Sequence, residues 1–312
     1  MTAATHPQSQ QNPSSAADPA TGRVRPEGVH VDGVAFDRLS EAQTVAYVVD
    51  ELRAGRGGWV ITSNLDHLYR ARRDPAFRAM LDEADLVVAD GAPLVWASRL
   101  QGTSLPERVA GSAMAWSLSE AANEAGQSIF LLGGDLGTAE KAAQHLKGRF
   151  PGLKIAGTYY PPMGFEKDPE VMAEMRAALV AARPDLVYVA LGSPKQELLI
   201  RDLKADLPQA WWLGLGISLS FICGEVSRAP KWMQKLGLEW FHRLVQEPRR
   251  LARRYLIDGV PFAMVLLSSS IANRFTKKRG AMQRMQQPVI PGSGVADAAG
   301  EKEPIGEKDG ME

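Results

Sequence analysis

Asp90 ends an apolar run, Leu86-Val87-Val88-Ala89, and Gly91 follows at once. This is how a buried strand delivers a carboxylate to its C-terminal edge, with a glycine to turn the chain. A carboxylate there can act as a general base, taking the proton of a hydroxyl as it attacks; the plainer reading is a structural Asp-Gly turn. Two further strand ends share the pattern, Leu131-Leu132-Gly133-Gly134-Asp135 and Val189-Ala190-Leu191-Gly192-Ser193. Ligands of open α/β sheets collect at that edge. Gly133, Gly134, Asp135, Gly192 and Ser193 are therefore candidate nucleotide contacts, with free backbone N–H groups to hold a phosphate or diphosphate. The loop after Leu132 suits a strand-to-helix turn without a ligand equally well. A dinucleotide fingerprint would need glycine at position 132, which is leucine, and this disfavours a nicotinamide-dependent oxidoreductase.

Ser193-Pro194-Lys195-Gln196-Glu197 reads as an N-cap serine, a proline in the first helical position and a capping-box glutamine. It would set Gln196 in the first turn of a helix at the ligand edge. Farther on, Arg228, Lys231, Lys235, Arg243, Arg249, Arg250, Arg253, Arg254, Arg274, Lys277, Lys278 and Arg279 are opposed only by Glu239, Glu247 and Asp258. Arg243, Arg250, Arg253 and Arg254 would share a face if a helix continued through Pro248. Trp232, Leu236, Trp240, Phe241 and Leu244 lie among these charges, which suits a membrane surface with anionic headgroups. A solvated basic helix on its own domain is the alternative, and no nucleic-acid motif accompanies the charge. The apolar stretch Val260 to Ile271 is too short to span a bilayer and is interrupted by Ser268, Ser269 and Ser270, so it would lie in the interface or pack on a partner subunit.

The elements that must position these groups alternate. Strands are expected at Val29 to Ala35, Trp59 to Thr62, Leu86 to Ala89, Ser128 to Leu132, Lys154 to Thr158, Leu186 to Leu191 and Trp211 to Leu215. Helices are expected at Glu41 to Ala54 with Ser40 as cap, at His67 to Glu83 with a break near Pro75, and at Pro93 to Leu100. Others should start at Gly111 or Ser112, Thr138, Pro169 and Gln196. The pattern predicts an α/β fold, a doubly wound, mostly parallel, Rossmann-like sheet over residues 29–225, with a basic helical C-terminal appendage over 226–279.

The chain has 312 residues and a formal net charge of zero, so bulk charge says nothing about partners. Residues 1–28 and 280–312 are polar, Pro/Ser/Ala-rich tails with too little apolar surface to offset chain entropy. A single cysteine, Cys223, excludes an internal disulfide and fits a reducing compartment; it reads as a small core residue rather than a nucleophile. No signal-peptide pattern opens the chain. The five histidines are scattered without ligand spacing, and the chain contains no Asp-x-Asp and no Gly-x-Ser-x-Gly elbow, so no metal site and no serine hydrolase are expected.

Together, Thr62-Ser63-Asn64, Ala84 to Gly91, Glu107-Arg108-Val109-Ala110-Gly111, Leu191 to Glu197, Arg228-Ala229-Pro230, Glu239 to Arg243 and Glu247-Pro248-Arg249-Arg250 resemble the WecG/TagA/CpsF glycosyltransferases of bacterial surface-polysaccharide assembly. The resemblance covers roughly residues 29 to 256. It implies an inverting, metal-independent transfer of N-acetylmannosamine, its uronate or a glucose-like sugar from a UDP-sugar, with no cofactor. The acceptor would be a polyprenyl-diphosphate-linked sugar at the inner face of the cytoplasmic membrane, where the protein would be cytoplasmic and peripheral. A homo-oligomer is compatible with it; nucleic acid is not an expected partner. It assigns Asp90 as the general base, Thr62, Asn64, Arg108 and Gln196 as pocket residues, and Arg243, Arg250 and Arg253 as arginines that close over the diphosphate. Two strings depart from the family pattern, Gly216-Ile217-Ser218-Leu219-Ser220-Phe221 and Pro161-Pro162-Met163-Gly164-Phe165, and both bear on the identity of the donor sugar. A non-catalytic scaffold that kept the fold is the other reading; it would need none of Asp90, Arg108 and Gln196.

Overall fold

Leu86–Ala89 and Leu186–Ala190 are continuous buried apolar runs, as expected where both faces of a sheet are covered. The computed structural model describes residues 23–286; the calls on positions 1–22 and 287–312 lie outside the described residues. In chain order the elements are β1 Gly28–Val31, β2 Val34–Asp37, α1 Glu41–Arg53, β3 Gly58–Ser63, α2 Leu65–Ala71, α3 Pro75–Asp82, β4 Leu86–Ala89, α4 Ala92–Leu100, α5 Gly111–Ala125, β5 Ser128–Gly133 and α6 Thr138–Arg149. They continue with β6 Lys154–Tyr159, α7 Pro169–Ala182, β7 Leu186–Ala190, α8 Lys195–Leu203, β8 Trp211–Gly214, α9 Ser218–Ile222, α10 Lys231–Lys235, α11 Glu239–Gln246, α12 Pro248–Ala252, a π-helical stretch Arg253–Gly259, and α13 Val260–Gln286.

Six strands pair in the order β4-β3-β8-β7-β5-β6, and every pairing is parallel. Side chains alternate between the two faces, so Trp59, Ile61, Val87, Val187 and Trp212 enter one core layer while Val60, Leu86, Val88, Tyr188 and Trp211 enter the other. Helices α1, α5, α6 and α9 cover the second layer; α2, α3, α4, α7, α8 and part of α13 cover the first. The chain leaves β5 toward β6 and leaves β7 toward β8, in opposite directions, so the crevice between β5 and β7 is a topological switch point.

Local chemistry explains the element boundaries. Ser40 accepts from the Gln43 N–H at 3.2 Å while Gln43 accepts from the Ser40 N–H at 2.9 Å, a complete capping box. Asp74 caps α3, with Pro75 opening it. The strand expected from Val29 to Ala35 is instead a hairpin. Asp32 and Gly33 turn the chain with φ of 49° and 78°, the backbone of a two-residue hairpin loop, and an Asp-Gly pair is the signal for it. The hairpin lies against β4, where Asp37 accepts from the Val87 N–H at 2.7 Å. Residues 23–27, assigned to the N-terminal tail on composition, are held by polar contacts. Arg23 is buried and binds Glu51, Asp85 and the Gly57 carbonyl, contacts that composition does not register.

The appendage departs most from expectation. Glu247, with φ of −131°, separates α11 from α12, so Arg243 and Arg250 do not share one helix face. Pro248 opens α12, where a missing N–H costs nothing. From there Pro248–Phe275 runs as one helical rod of 28 residues, long and apolar enough by length and composition to cross a membrane. The three serines do not interrupt it, because Ser268, Ser269 and Ser270 each donate back to a carbonyl three or four residues earlier. One face of the rod is tied to the core through Phe262, Leu266 and Ser270, whereas Ile257, Val260, Met264 and Ile271 are exposed. A fully buried leucine such as Leu266 contributes roughly 1.5–3 kcal/mol to that attachment. The helix is described through Gln286, past position 280 where composition begins the C-terminal tail.

Candidate active site

A cavity of about 900 Å³ opens across the C-terminal ends of β3, β4, β5, β7 and β8. Its floor comes from the core, with Thr62, Asn64, Asp90, Arg108, Gly134, Asp135, Gly192, Ser193 and Gln196. Its roof comes from the appendage, with Glu239, Trp240, Arg243, Glu247, Arg250 and Arg254. Two of the residues singled out in the sequence do not line it. Gly133 is buried beneath, where a Cβ would meet the Ala190 carbonyl oxygen at 2.5 Å, so it is glycine for close strand approach. Arg253 is exposed, and Arg254, four residues after Arg250 and so near the same helix face, lines the cavity instead.

Asp90 continues the sheet by donating its N–H to the Ser63 carbonyl at 2.7 Å, which carries its side chain over the strand end. Its Oδ2 accepts from the Gly111 N–H, the first of α5, at 3.4 Å. Burial pushes the Asp90 carboxyl above the usual range; Arg108 opposes this, and Glu239 adds to it. Arg108 donates to Glu239 Oε2 at 2.8 Å, and Glu239 Oε1 accepts from Arg228 at 3.2 Å. Burial acts to raise Glu239, but the two guanidiniums more than offset it and hold the carboxyl below its ordinary range. Glu107, next to Arg108 in the chain, accepts the Glu41 N–H at 2.8 Å.

Gln196 is buried and does not complete a capping box. Helix α8 starts at Lys195 with no side-chain cap, because the Gln196 amide is engaged elsewhere. Its Oε1 accepts from the Gly216 N–H at 2.9 Å and its Nε2 donates to Glu197 at 2.7 Å. The side chain crosses Gly214, where a Cβ would sit 2.6 Å from Nε2. Glu197 in turn lies 3.4 Å from His67 Nε2. His67 Nδ1 accepts from the Asn64 N–H at 3.0 Å. This buried chain links the ends of β3 and β8. Asn64 also caps α2, accepting from the Asp66 and His67 N–H groups at 3.0 and 3.3 Å, so its side-chain oxygen has a structural task beside its place on the cavity wall.

At the switch point the Gly134 N–H is bonded to the Ala190 carbonyl at 2.8 Å, and Thr138 and Lys141 of α6 hold Glu225 at 2.8 Å each. Ser193 lines the cavity with its buried hydroxyl lacking a hydrogen-bond partner. The roof arginines are held by carboxylates: Arg254 by Asp66 at 3.1 Å, Arg250 by Glu247, and Arg243 by Glu247 at 4.0 Å. Yet the buried Nε–H groups of Arg243 and Arg254 have no partner among the described residues. Cys223 packs half-buried beside the second core layer, and burial pushes its thiol up, away from thiolate chemistry. Among the described residues no cluster of three or more His, Cys, Asp or Glu side chains could hold a metal ion.

Glu239, Arg228 and Glu197 belong to strings that the sequence reading noted without assigning them a task. In the sequence Arg254 stands out only for its place on a shared basic face and Asp66 is not singled out; nothing local marks their pairing across the fold.

Comparison with known proteins supplies the context for this cavity. The profile of the glycosyl transferase WecG/TagA/CpsF family matches residues 29–276. An N-acetylglucosaminyldiphosphoundecaprenol N-acetyl-beta-D-mannosaminyltransferase of Bacillus spizizenii strain W23 is 34% identical over 202 residues, 65% of this chain and 76% of the relative. A protein of the same name from Bacillus subtilis strain 168 is 34% identical over 197 residues, 63% of this chain and 75% of the relative.

Proposed function

Since the chain belongs to the WecG/TagA/CpsF family and is a glycosyltransferase, we propose that it moves an N-acetylmannosamine-type sugar from a UDP-sugar to a polyprenyl-diphosphate-linked N-acetylglucosamine. The product would enter a cell-surface polysaccharide. The observation that carries this reading is that one cavity is lined by the Asp90 carboxylate of the core and by the appendage arginines Arg243, Arg250 and Arg254. A base on one wall and guanidiniums on another suit a hydroxyl nucleophile and a diphosphate.

In this reading the acceptor hydroxyl attacks the anomeric carbon from the face opposite UDP. The new C–O bond forms as the C–O bond to the β-phosphate breaks; the electron pair leaves with UDP, the hydroxyl proton goes to Asp90, and the anomeric configuration inverts. The raised proton affinity of Asp90 favours this role, since a base is most effective near the working pH. Arginine forks, in place of a metal ion, stabilise the departing charge. Thr62, Gln196 and Ser193 line the floor where the donor would rest, with Gln196 held in place by Glu197 and Gly216. Exposed Trp232, Leu236, Phe241 and Val245 beside the basic residues suit attachment to an anionic membrane surface, where the lipid-linked acceptor resides.

The test is incubation of the full chain with a panel of UDP-sugars and a short-chain prenyl-diphosphate N-acetylglucosamine. Transfer from UDP-N-acetylmannosamine, unaffected by EDTA and yielding the inverted anomer, is expected. Transfer that stops with EDTA and resumes with Mg²⁺ or Mn²⁺ would overturn the metal-independent mechanism, and no transfer from any UDP-sugar would overturn the donor class.

A further inference from the structure

We propose that Glu239, carried by the appendage, is a positioning residue that keeps Arg108 off Asp90 and so leaves the Asp90 carboxylate free to accept a proton; this rests on the reading of Asp90 as the base. Arg108 is acted on electrostatically by two carboxylates, Asp90 and Glu239, and its hydrogen bond goes to Glu239, at 2.8 Å. The second oxygen of Glu239 is occupied by Arg228, which fixes the carboxylate from the other side. Asp90 accepts only a long bond, 3.4 Å, from the Gly111 N–H. The charged groups that bear on Asp90 are Arg108, Glu239 and Arg228.

The arrangement is not a surface ion pair. The side chains of Arg108 and Glu239 are 21% and 14% exposed, so solvent screens them little. Glu239 is the first residue of α11, where a carboxylate is favoured by the helix dipole. Were Arg108 to fork onto Asp90, it would occupy the lone pairs that must receive the proton, and an opposite charge at that range lowers a carboxyl pKa by about 1–3 units. Glu239 removes this competitor. Because it arrives on the appendage, the base is unmasked only while α11 is seated on the core. An appendage lifted away would leave Asp90 as the carboxylate that acts most strongly on Arg108, and the enzyme would carry a quenched base until α11 returned.

The experiment compares the pH dependence of kcat/KM for the full chain, Glu239→Gln and Glu239→Asp. Glutamine accepts from Arg108 without charge, so Arg108 turns to Asp90. The acid limb should then move down by about 1–3 pH units and the plateau should fall. Glu239→Asp keeps the charge and should give a limb nearer to wild type. A role in folding alone would lower the amplitude and leave the limb where it was. An infrared difference titration of the Asp90 carboxyl, assigned with Asp90→Asn, reads the same displacement without substrate. If wild type transfers no sugar but this titration moves down in Glu239→Gln, the function reading fails and the coupling stands. A limb and a titration that stay in place, or move up, overturn the proposal.

Discussion

Trp212 in β8 is 1% exposed, while Trp232 in α10 is 59% exposed. The contrast holds for the two regions at large. The α/β core places its apolar side chains in two layers, one on each face of a parallel sheet, and uses the strand ends to aim polar groups. The appendage fixes a few residues, Phe262 and Leu266 among them, and leaves Phe241, Val245, Ile257 and Met264 facing outward. Both regions contribute to one cavity. The core brings a carboxylate and an amide held by buried hydrogen bonds; the appendage brings arginines held by ion pairs that a ligand can exchange. Precise geometry thus comes from the part with the strongest packing, and charge that must adapt to a ligand comes from the part with the weakest.

The largest effect should come from the core. Asp90→Asn keeps size and loses proton affinity, and transfer should fall by about 10²–10⁴-fold with binding of UDP unchanged. Rates within about threefold of wild type at equal folding would take the base role away from Asp90. Next comes Arg250→Ala in the roof, where transfer should fall by roughly 10–100-fold while attachment to anionic liposomes is nearly unchanged, since a single basic residue is worth about 1 kcal/mol near such a surface. Equal losses of transfer and attachment would erase the distinction between a ligand-facing and a membrane-facing set of charges.

Exposed apolar residues test the other half of the contrast. Replacing Phe241 and Val245 by serine should weaken liposome attachment by about tenfold and leave the melting temperature within about 1–2 °C, because neither side chain is buried. A collapse of stability would mean that this face belongs to the fold. A further test, read in stability rather than in transfer, lies at Asp37. Burial, partly offset by the Val87 N–H and Arg25, pushes its carboxyl up to about 6 from an ordinary 3.8. The folded state therefore holds a proton that the unfolded chain has released between about pH 4 and 6, and stability from this group is full below that window and lost as pH rises through it. Asp37→Asn can still accept from Val87. It should stabilise the protein at pH 7 by about 1–3 kcal/mol in chemical denaturation, with the gain shrinking toward pH 4.

The core was legible because its signals are local. Leu86 to Asp90 announces strand, edge and carboxylate within five residues, and Ser40 with Gln43 announces a helix start. The Asp32-Gly33 hairpin is equally local, its turn pair lying inside an apolar stretch that reads as one continuous strand. What could not be read locally were partnerships made by the fold. Nothing near Gln196 tells that its amide will reach Gly216 and leave the helix uncapped, and nothing near Arg108 names Glu239, 131 residues away. In the appendage, regular helical spacing put Arg243, Arg250, Arg253 and Arg254 on one face, and the resemblance singled out Arg253; a break at Glu247 sets Arg243 on a separate helix, and Arg254 rather than Arg253 reaches the cavity.

The bond from the Val87 N–H to Asp37 has a bearing on assembly. β4 is the outer strand of the sheet, and an outer strand offers unpaired amides on which a second chain can add a strand of its own. The hairpin of β1 and β2 lies over that border, and Asp37 takes the Val87 donor that a foreign strand would need. Copies of this protein are thereby discouraged from joining sheet to sheet along β4, and a variant without the hairpin should form strand-paired aggregates that the intact chain avoids.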